Sequence, residues 1–188
     1  MLFVQFTGLS GSGKTTLAYQ AQQQLQAAGY RVVVIDGDEC RKQFWPELTY
    51  SERDREENIR RLGRLGRMFC QQGAIVLMAA INPFEHIRAE LRQHNHPTKT
   101  VFVTCSMATL IARDTKGLYA RALLQPDHPD KLTNLTGINA PYEPPIYPDL
   151  TINTDDFSPI DCTDRLVQLI LDFLNPSNTT ISATQSTH

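Results

Sequence analysis

Leu2-Phe3-Val4-Gln5-Phe6-Thr7 runs into Gly8-Leu9-Ser10-Gly11-Ser12-Gly13-Lys14-Thr15, and Thr16-Leu17-Ala18-Tyr19-Gln20 follows. The first six residues are apolar and β-prone. The last begin a stretch rich in Ala, Leu and Gln that reaches Ala28 and is closed by Gly29, as a helix is. The segment between them fits G-x-x-x-x-G-K-[ST], and a strand before with a helix after is the setting that pattern requires. Glycines let the backbone curl so that several N–H groups and the amino end of the helix face one anion. Lys14 then reaches the outer phosphates and the Thr15 hydroxyl holds Mg²⁺. Gly8, Leu9, Ser10, Gly11, Ser12, Gly13, Lys14 and Thr15 are therefore the candidate ATP cradle, with Lys14 as a catalytic cation.

Outward from this unit, strands and helices alternate. Arg31 to Ile35 is a near-continuous β-branched run of the kind buried on both faces of a parallel sheet. Ala74 to Ile81, Thr100 to Thr104 and Leu150 to Asn153 read as further strands. Ser51 with Asp54 resembles a capping box, and Ile59, Leu62, Leu65, Gly66 and Phe69 mark one face of a long helix up to Gly73. Other helices are expected near Glu85 to Gln93, Met107 to Ala112 and Asp161 to Leu174. The alternation predicts an α/β fold, a three-layer P-loop NTPase sandwich around a mainly parallel five-stranded sheet. One domain is expected over residues 1–175. Within it, residues 115–148 hold most of the prolines and little periodicity, and read as a lid over the carboxyl edge of the sheet. Residues 176–188 lack a core pattern and read as a disordered tail.

A chain of 188 residues can bury a sizeable core without metal or disulfide staples. Its formal charge of -2 offers no global attraction for nucleic acid or an anionic membrane, so any anion site must be local. Cys40, Cys70, Cys105 and Cys162 form no C-x-x-C pair, which favours reduced thiols over a disulfide framework. His94 and His96 sit in a polar run with Pro97, without the Cys or carboxylate cluster that a metal site needs. The amino-terminal residues show no signal-peptide pattern and no run of ~20 apolar residues, so the expected location is cytoplasmic.

Asp36-Gly37-Asp38 follows the second strand, whose end a parallel sheet brings near the cradle. Phosphoryl transfer uses one carboxylate for Mg²⁺ or its waters and another to orient or deprotonate the attacking hydroxyl. Asp36 and Asp38 are the candidates for both catalytic tasks, with Asp36 placed beside Thr15 as the metal group; spacing alone leaves the division between them open. The competing structural role is an Asp-Gly turn that caps a following helix. No N-K-x-D segment occurs, which argues against a guanine-selective switch.

Several separated blocks follow one another along the chain. They are Gly8 to Thr16; Asp36-Gly37-Asp38 with Arg41; Ser51, Asp54-Arg55 and Glu57-Asn58-Ile59-Arg60-Arg61; Arg113-Asp114 with Lys116-Gly117-Leu118-Tyr119; and Thr136-Gly137-Ile138 with Pro141-Tyr142-Glu143. In this order and spacing, from about Phe3 to Leu174, the chain resembles the adenylyl-sulfate kinase family. The resemblance implies Mg²⁺-assisted transfer of the ATP γ-phosphoryl to the 3′-hydroxyl of adenylyl sulfate, giving 3′-phosphoadenylyl sulfate and ADP. It adds Thr16 and Arg113 to the ATP site, and implies an acceptor site of Asp38, Arg41, Arg55, Asn58, Ile81, Asn82, Lys116 and Leu118. A homodimer and functional association with an ATP sulfurylase are compatible with it.

Helix geometry agrees in part, because positions 55 and 58 share one face one turn apart. Arginines held on a rigid helix suit the planar oxygens of a sulfate-phosphate anhydride. The competing role for Glu52 to Arg61 is a solvated helix laced by Glu and Arg pairs. The chain also departs from the family pattern. Ile81-Asn82-Pro83 replaces Ile-Ser-Pro, leaving an amide that can donate to a ligand; Glu85 replaces an arginine, while Arg88 matches; Leu135 replaces a phenylalanine that stacks on the acceptor adenine; Thr49-Tyr50 replaces Gly-Phe. Asn82, Glu85 and Leu135 motivate one alternative, a P-loop kinase for another small anionic acceptor; a second, of a different class, is a non-catalytic partner subunit that binds adenylyl sulfate.

Overall fold

Five strands, β1 (Phe3–Thr7), β2 (Val32–Asp36), β3 (Ile75–Ala79), β4 (Thr98–Thr104) and β5 (Leu150–Asn153), pair in the order β2-β3-β1-β4-β5. Every ladder between them is parallel. The computed structural model describes residues 1–176, so residues 177–188 of the expected tail lie outside the described residues.

Parallel neighbours cannot be joined by tight hairpins, and helices supply the crossovers. In chain order these are α1 (Lys14–Ala27), α2 (Gly37–Phe44), α3 (Glu52–Gln71), α4 (Glu85–His94), α5 (Met107–Arg113), α6 (Leu118–Ala122) and α7 (Pro159–Leu174). The central strand shows how the layers form. Leu2, Val4 and Phe6 pack with Leu17, Ala21 and Leu25 of α1 and Leu166 and Ile170 of α7. Phe3 points the other way, into Ile59 and Leu62 of α3 and Ile87 and Leu91 of α4. Strand alternation thus divides the apolar residues between two helical layers. Gly66 lets α3 lie against β1, since a Cβ there would stand 2.2 Å from the Phe3 ring.

Two elements differ from the sequence expectations. Asp36 does cap a helix: its Oδ1 accepts from the N–H groups of Asp38 and Glu39 at 2.9 and 3.0 Å, opening α2, whose eight residues are too few to show a periodicity. Residues 115–148 also carry order of their own. The short helix α6 packs Tyr119 and Ala122 with Leu110 and Leu135, flanked by Leu9, Leu118, Leu132 and Ile138. Leu135 is 5% exposed within that cluster, so its side chain serves the packing of this segment rather than an acceptor base.

Candidate active site

A cleft of about 480 Å³ opens over the carboxyl ends of the strands. Ser10, Gly11 and Gly13 to Thr16 of the cradle line it, with Asp36, Asp38, Ile81, Arg113, Lys116 and Thr154. Gly8 ends β1 with φ +146°, where a Cβ would lie 2.1 Å from the Val103 carbonyl oxygen. Gly13, at φ +103°, is the left-handed residue from which α1 starts. Both positions exclude a side chain, which is the steric reason for glycine in this turn.

Lys14 is 8% exposed, and its Nζ donates to the Leu9 carbonyl at 2.7 Å and the Ser12 hydroxyl at 3.3 Å. Burial pushes this ammonium down to about 8, against the opposing pull of Asp38, with Lys116 adding to the depression. A cation held this way gains from an arriving anion. Beside it, the Thr15 hydroxyl donates to Asp36 Oδ2 at 2.7 Å, while Oδ1 of the same carboxylate is occupied by the cap of α2. Hydroxyl and carboxylate oxygens are the hard donors Mg²⁺ takes. Among the described residues no group of three or more His, Cys, Asp or Glu assembles a metal cage. The pair therefore fits an ion that arrives with phosphate and keeps much of its water.

Asp38 stands on the first turn of α2 and is ion-paired to Lys116, which precedes α6. Partial burial pulls the Asp38 carboxyl upward, but the Lys116 ammonium, helped by Lys14 and Lys42, outweighs it and holds the group below the usual carboxylate range. Arg41, one turn further along α2, is 7% exposed and reaches the carbonyls of Thr49 and Asp54. Arg55, on α3, donates to the Tyr50 carbonyl at 2.8 Å, and to Thr136 and the Asn134 carbonyl in the 115–148 segment; neither Arg41 nor Arg55 is among the residues lining the cleft. The Tyr50 ring lies under both guanidiniums, at 4.9 Å from Arg41 and 5.8 Å from Arg55. Neither arginine is ion-paired to a carboxylate among the described residues. Burial, and for Arg55 the neighbouring Arg41 charge, lowers both guanidiniums from their ordinary value.

The charged run of α3 divides into two populations. Arg60 pairs with Glu56 and Glu90, Arg61 with Glu57, and Arg64 with Glu57, as a solvated helix would. Arg55 instead bridges to Thr136, and Asn58 is 5% exposed with its Oδ1 unpartnered. Spacing cannot separate these fates, because the separation depends on which face of α3 the rest of the chain covers.

Two expected acceptor residues sit elsewhere. Asn82, at φ +45° and fully buried, donates its amide to Gln5 Oε1 at 3.1 Å. Gln5 is a polar residue buried on β1 and bonded in turn to Thr100, so the Asn82 amide nitrogen is engaged in a core network while its buried Oδ1 has no partner among the described residues. Leu118 packs half-buried into the α6 cluster, where apolar burial favours it. Glu85 does not leave a free negative charge: it pairs with the fully buried Arg88 at 2.8 Å and with Arg92 at 2.6 Å. Arg113 donates to Thr154 Oγ1 at 2.8 Å and to its carbonyl at 3.1 Å, so Thr154, Phe157 and Pro159 share its wall of the cleft. Sequence reasoning missed these three, and it noted Tyr50 only as a departure from the family pattern. The position of Thr154 just past β5 was a usable signal, since ligands in such sheets bind beyond carboxyl ends.

No helix among the described residues is long and apolar enough to cross a membrane. The family model described as adenylylsulphate kinase matches residues 1–153. An adenylyl-sulfate kinase of Chloroflexus aurantiacus is 44% identical over 166 residues, covering 88% of this chain and 87% of its own. One from Synechococcus sp. (strain JA-3-3Ab) is 43% identical, with 88% and 91% covered. Among solved structures, the Mycobacterium tuberculosis APS kinase CysC in complex with AMPPNP and APS superposes with a TM-score of 0.83 at 34% identity, over 90% of this chain and 96% of that one.

Proposed function

The chain belongs to the adenylylsulphate kinase family, and from that premise we propose how its residues divide the transfer of a phosphoryl group from ATP to the 3′-hydroxyl of adenylyl sulfate. ATP lies on Gly8 to Thr16 with its base toward Arg113 and Thr154. The desolvated Lys14 ammonium leaves the Leu9 carbonyl for the outer phosphates, where charge develops. Thr15 and Asp36 would hold Mg²⁺, which would supply charge neutralisation at the phosphate oxygens. Asp38, ionised at neutral pH, gives up Lys116 and accepts the hydrogen bond of the attacking hydroxyl. There the carboxylate orients the hydroxyl for attack, which suits a loose transition state.

The single observation that carries the acceptor assignment is the Arg41–Arg55 pair, two partly desolvated guanidiniums over Tyr50 without a carboxylate. An anion between them would offset a burial cost that the Tyr50 ring, the carbonyl hydrogen bonds and, for Arg41, the nearby Asp38 and Asp54 charges offset only in part, since both guanidiniums remain lowered. The family departures leave this wall in place, because Glu85 is neutralised by two arginines and Asn82 faces the core. That weighs against a different anionic acceptor. Intact Lys14, Thr15, Asp36 and Asp38 weigh against a non-catalytic subunit. The protein is taken to work in the cytoplasm as a homodimer, beside an ATP sulfurylase that forms its acceptor; light scattering and co-purification test the two associations.

Incubation with ATP, Mg²⁺ and adenylyl sulfate, followed by chromatographic product analysis, tests the function. ADP and 3′-phosphoadenylyl sulfate are expected in equal amounts. ADP release that responds only to a different acceptor would overturn the assignment.

A further inference from the structure

Tyr119 is the residue that the division of roles above leaves unused although it touches the phosphate loop. It stands in α6 and is 1% exposed, its ring inside the cluster of Leu110, Ala122 and Leu135. Its hydroxyl donates to the carbonyl of Ser10 at 2.8 Å. The Asp114 carboxylate fixes the backbone from which that ring projects, accepting from the N–H groups of Tyr119 at 3.1 Å and Ala120 at 2.8 Å. The neighbouring crest residue is held from the same side. Leu9 packs into the same cluster, so close to Gly137 that a Cβ there would lie 2.5 Å from Leu9 Cδ2.

A trans peptide is planar, with its C=O and N–H pointing in opposite directions. Gripping the Ser10 carbonyl from the α6 cluster therefore turns the Gly11 N–H away from that cluster, and Gly11 lines the cleft on the other side. Gly11 alone does not set this orientation: at φ +79° it is a glycine whose added Cβ would meet only Leu110 Cδ2 at 3.7 Å. The turn around this peptide is closed by the Ser12 N–H donating to the Leu9 carbonyl at 3.3 Å, a long bond, and the Tyr119 hydroxyl adds a shorter hold on the peptide itself. Burial pushes the Tyr119 phenol up to about 12, with the Cys105 and Asp114 charges adding to it, so it stays a donor across the working range of an enzyme.

We propose that Tyr119 is a positioning residue for phosphoryl transfer, its hydroxyl holding the Ser10–Gly11 peptide so that the Gly11 N–H faces the triphosphate. The proposal rests on ATP being the nucleotide of the cradle and is independent of the acceptor. Tyr119→Phe removes one oxygen and keeps the ring in its cluster. Calorimetric titration with ATP·Mg²⁺, and separately with adenosine, reads the effect without any acceptor present. One neutral hydrogen bond corresponds to a loss of roughly 3- to 10-fold in ATP·Mg²⁺ affinity. Adenosine affinity stays within twofold, because no phosphate is involved, and with acceptor present kcat falls while the acceptor KM holds. Unchanged ATP·Mg²⁺ affinity and kcat would overturn the proposal, and so would equal losses for ATP and adenosine, which mark general damage. If the variant melts well below the parent, Asp114→Asn, which loosens the same ring without entering the cluster, must produce the same split between the two ligands or the proposal fails. A wild-type protein that binds no ATP·Mg²⁺ at all would instead refute the functional assignment itself.

Discussion

Replacing Lys14 with methionine removes a charge and little volume, and its consequences for stability and binding run in opposite directions. In the free protein the Lys14 ammonium is pushed from 10.5 down to about 8, burial being the main cause. A folded-state value depressed in this way gives stability that is complete above the unfolded value of 10.5 and is lost as pH falls through about 8. At pH 7 the loss is complete, and the difference between about 8 and 10.5 corresponds to about 3 kcal/mol. Methionine escapes it. Removing Nζ also forfeits its hydrogen bonds to Leu9 and Ser12, which returns about 1–2 kcal/mol. The variant should therefore be more stable than the parent by about 1–2 kcal/mol at pH 7, a rise of a few degrees in Tm at about 2–4 °C per kcal/mol. Differential scanning calorimetry at pH 7 and pH 10 measures it, and the gap should close or reverse at the higher pH as the parent lysine becomes neutral. Saturating ATP·Mg²⁺ should raise the parent's Tm and leave the variant's almost unmoved, since the cation that meets the phosphates is gone. A variant less stable at pH 7, or a gap independent of pH, would refute the picture of a desolvated ammonium awaiting an anion.

Two further outcomes are expected. Asp38→Asn should lower kcat by roughly 10²- to 10⁴-fold with ATP·Mg²⁺ affinity retained, as steady-state kinetics and titration would show. Lys116 holds the carboxyl of the free parent below its usual range, so kcat/KM of the parent should show no acid limb near neutrality from this group. Gly66→Ala drives a methyl to within 2.2 Å of the Phe3 ring and should cost about 1–3 kcal/mol in a urea titration, with kcat unchanged in the folded fraction.

The two kinds of site residue were not equally legible. The phosphate cradle is local, because Gly8, Gly13, Lys14 and Thr15 act through the backbone of one turn and its helix, so their spacing carries their chemistry. The Asp36–Thr15 contact was legible at one remove, through the expectation that parallel strands end on the same edge. The surroundings of Asn82 were not legible from spacing, because the buried Gln5 that its amide nitrogen meets lies on β1, far away in sequence. Gln5 in a strand of apolar residues was the visible anomaly. Residues 115–148 have no periodicity to reveal that Leu118 and Leu135 share a cluster of their own.

Residues 8–15, the β-branched strands and the order of blocks were enough by themselves to establish the sheet, its layers, the nucleotide site and the family, because those depend on short-range geometry and on alternation along the chain. Which charges stay uncompensated was decided only in three dimensions. Arg55 and Arg60 are neighbours on one helix, yet one is neutralised by Glu56 and Glu90 while the other leans over Tyr50 beside Arg41. A charge has meaning for binding only once burial removes its water and the fold either supplies or withholds a counter-ion, and both are properties of segments far apart in sequence.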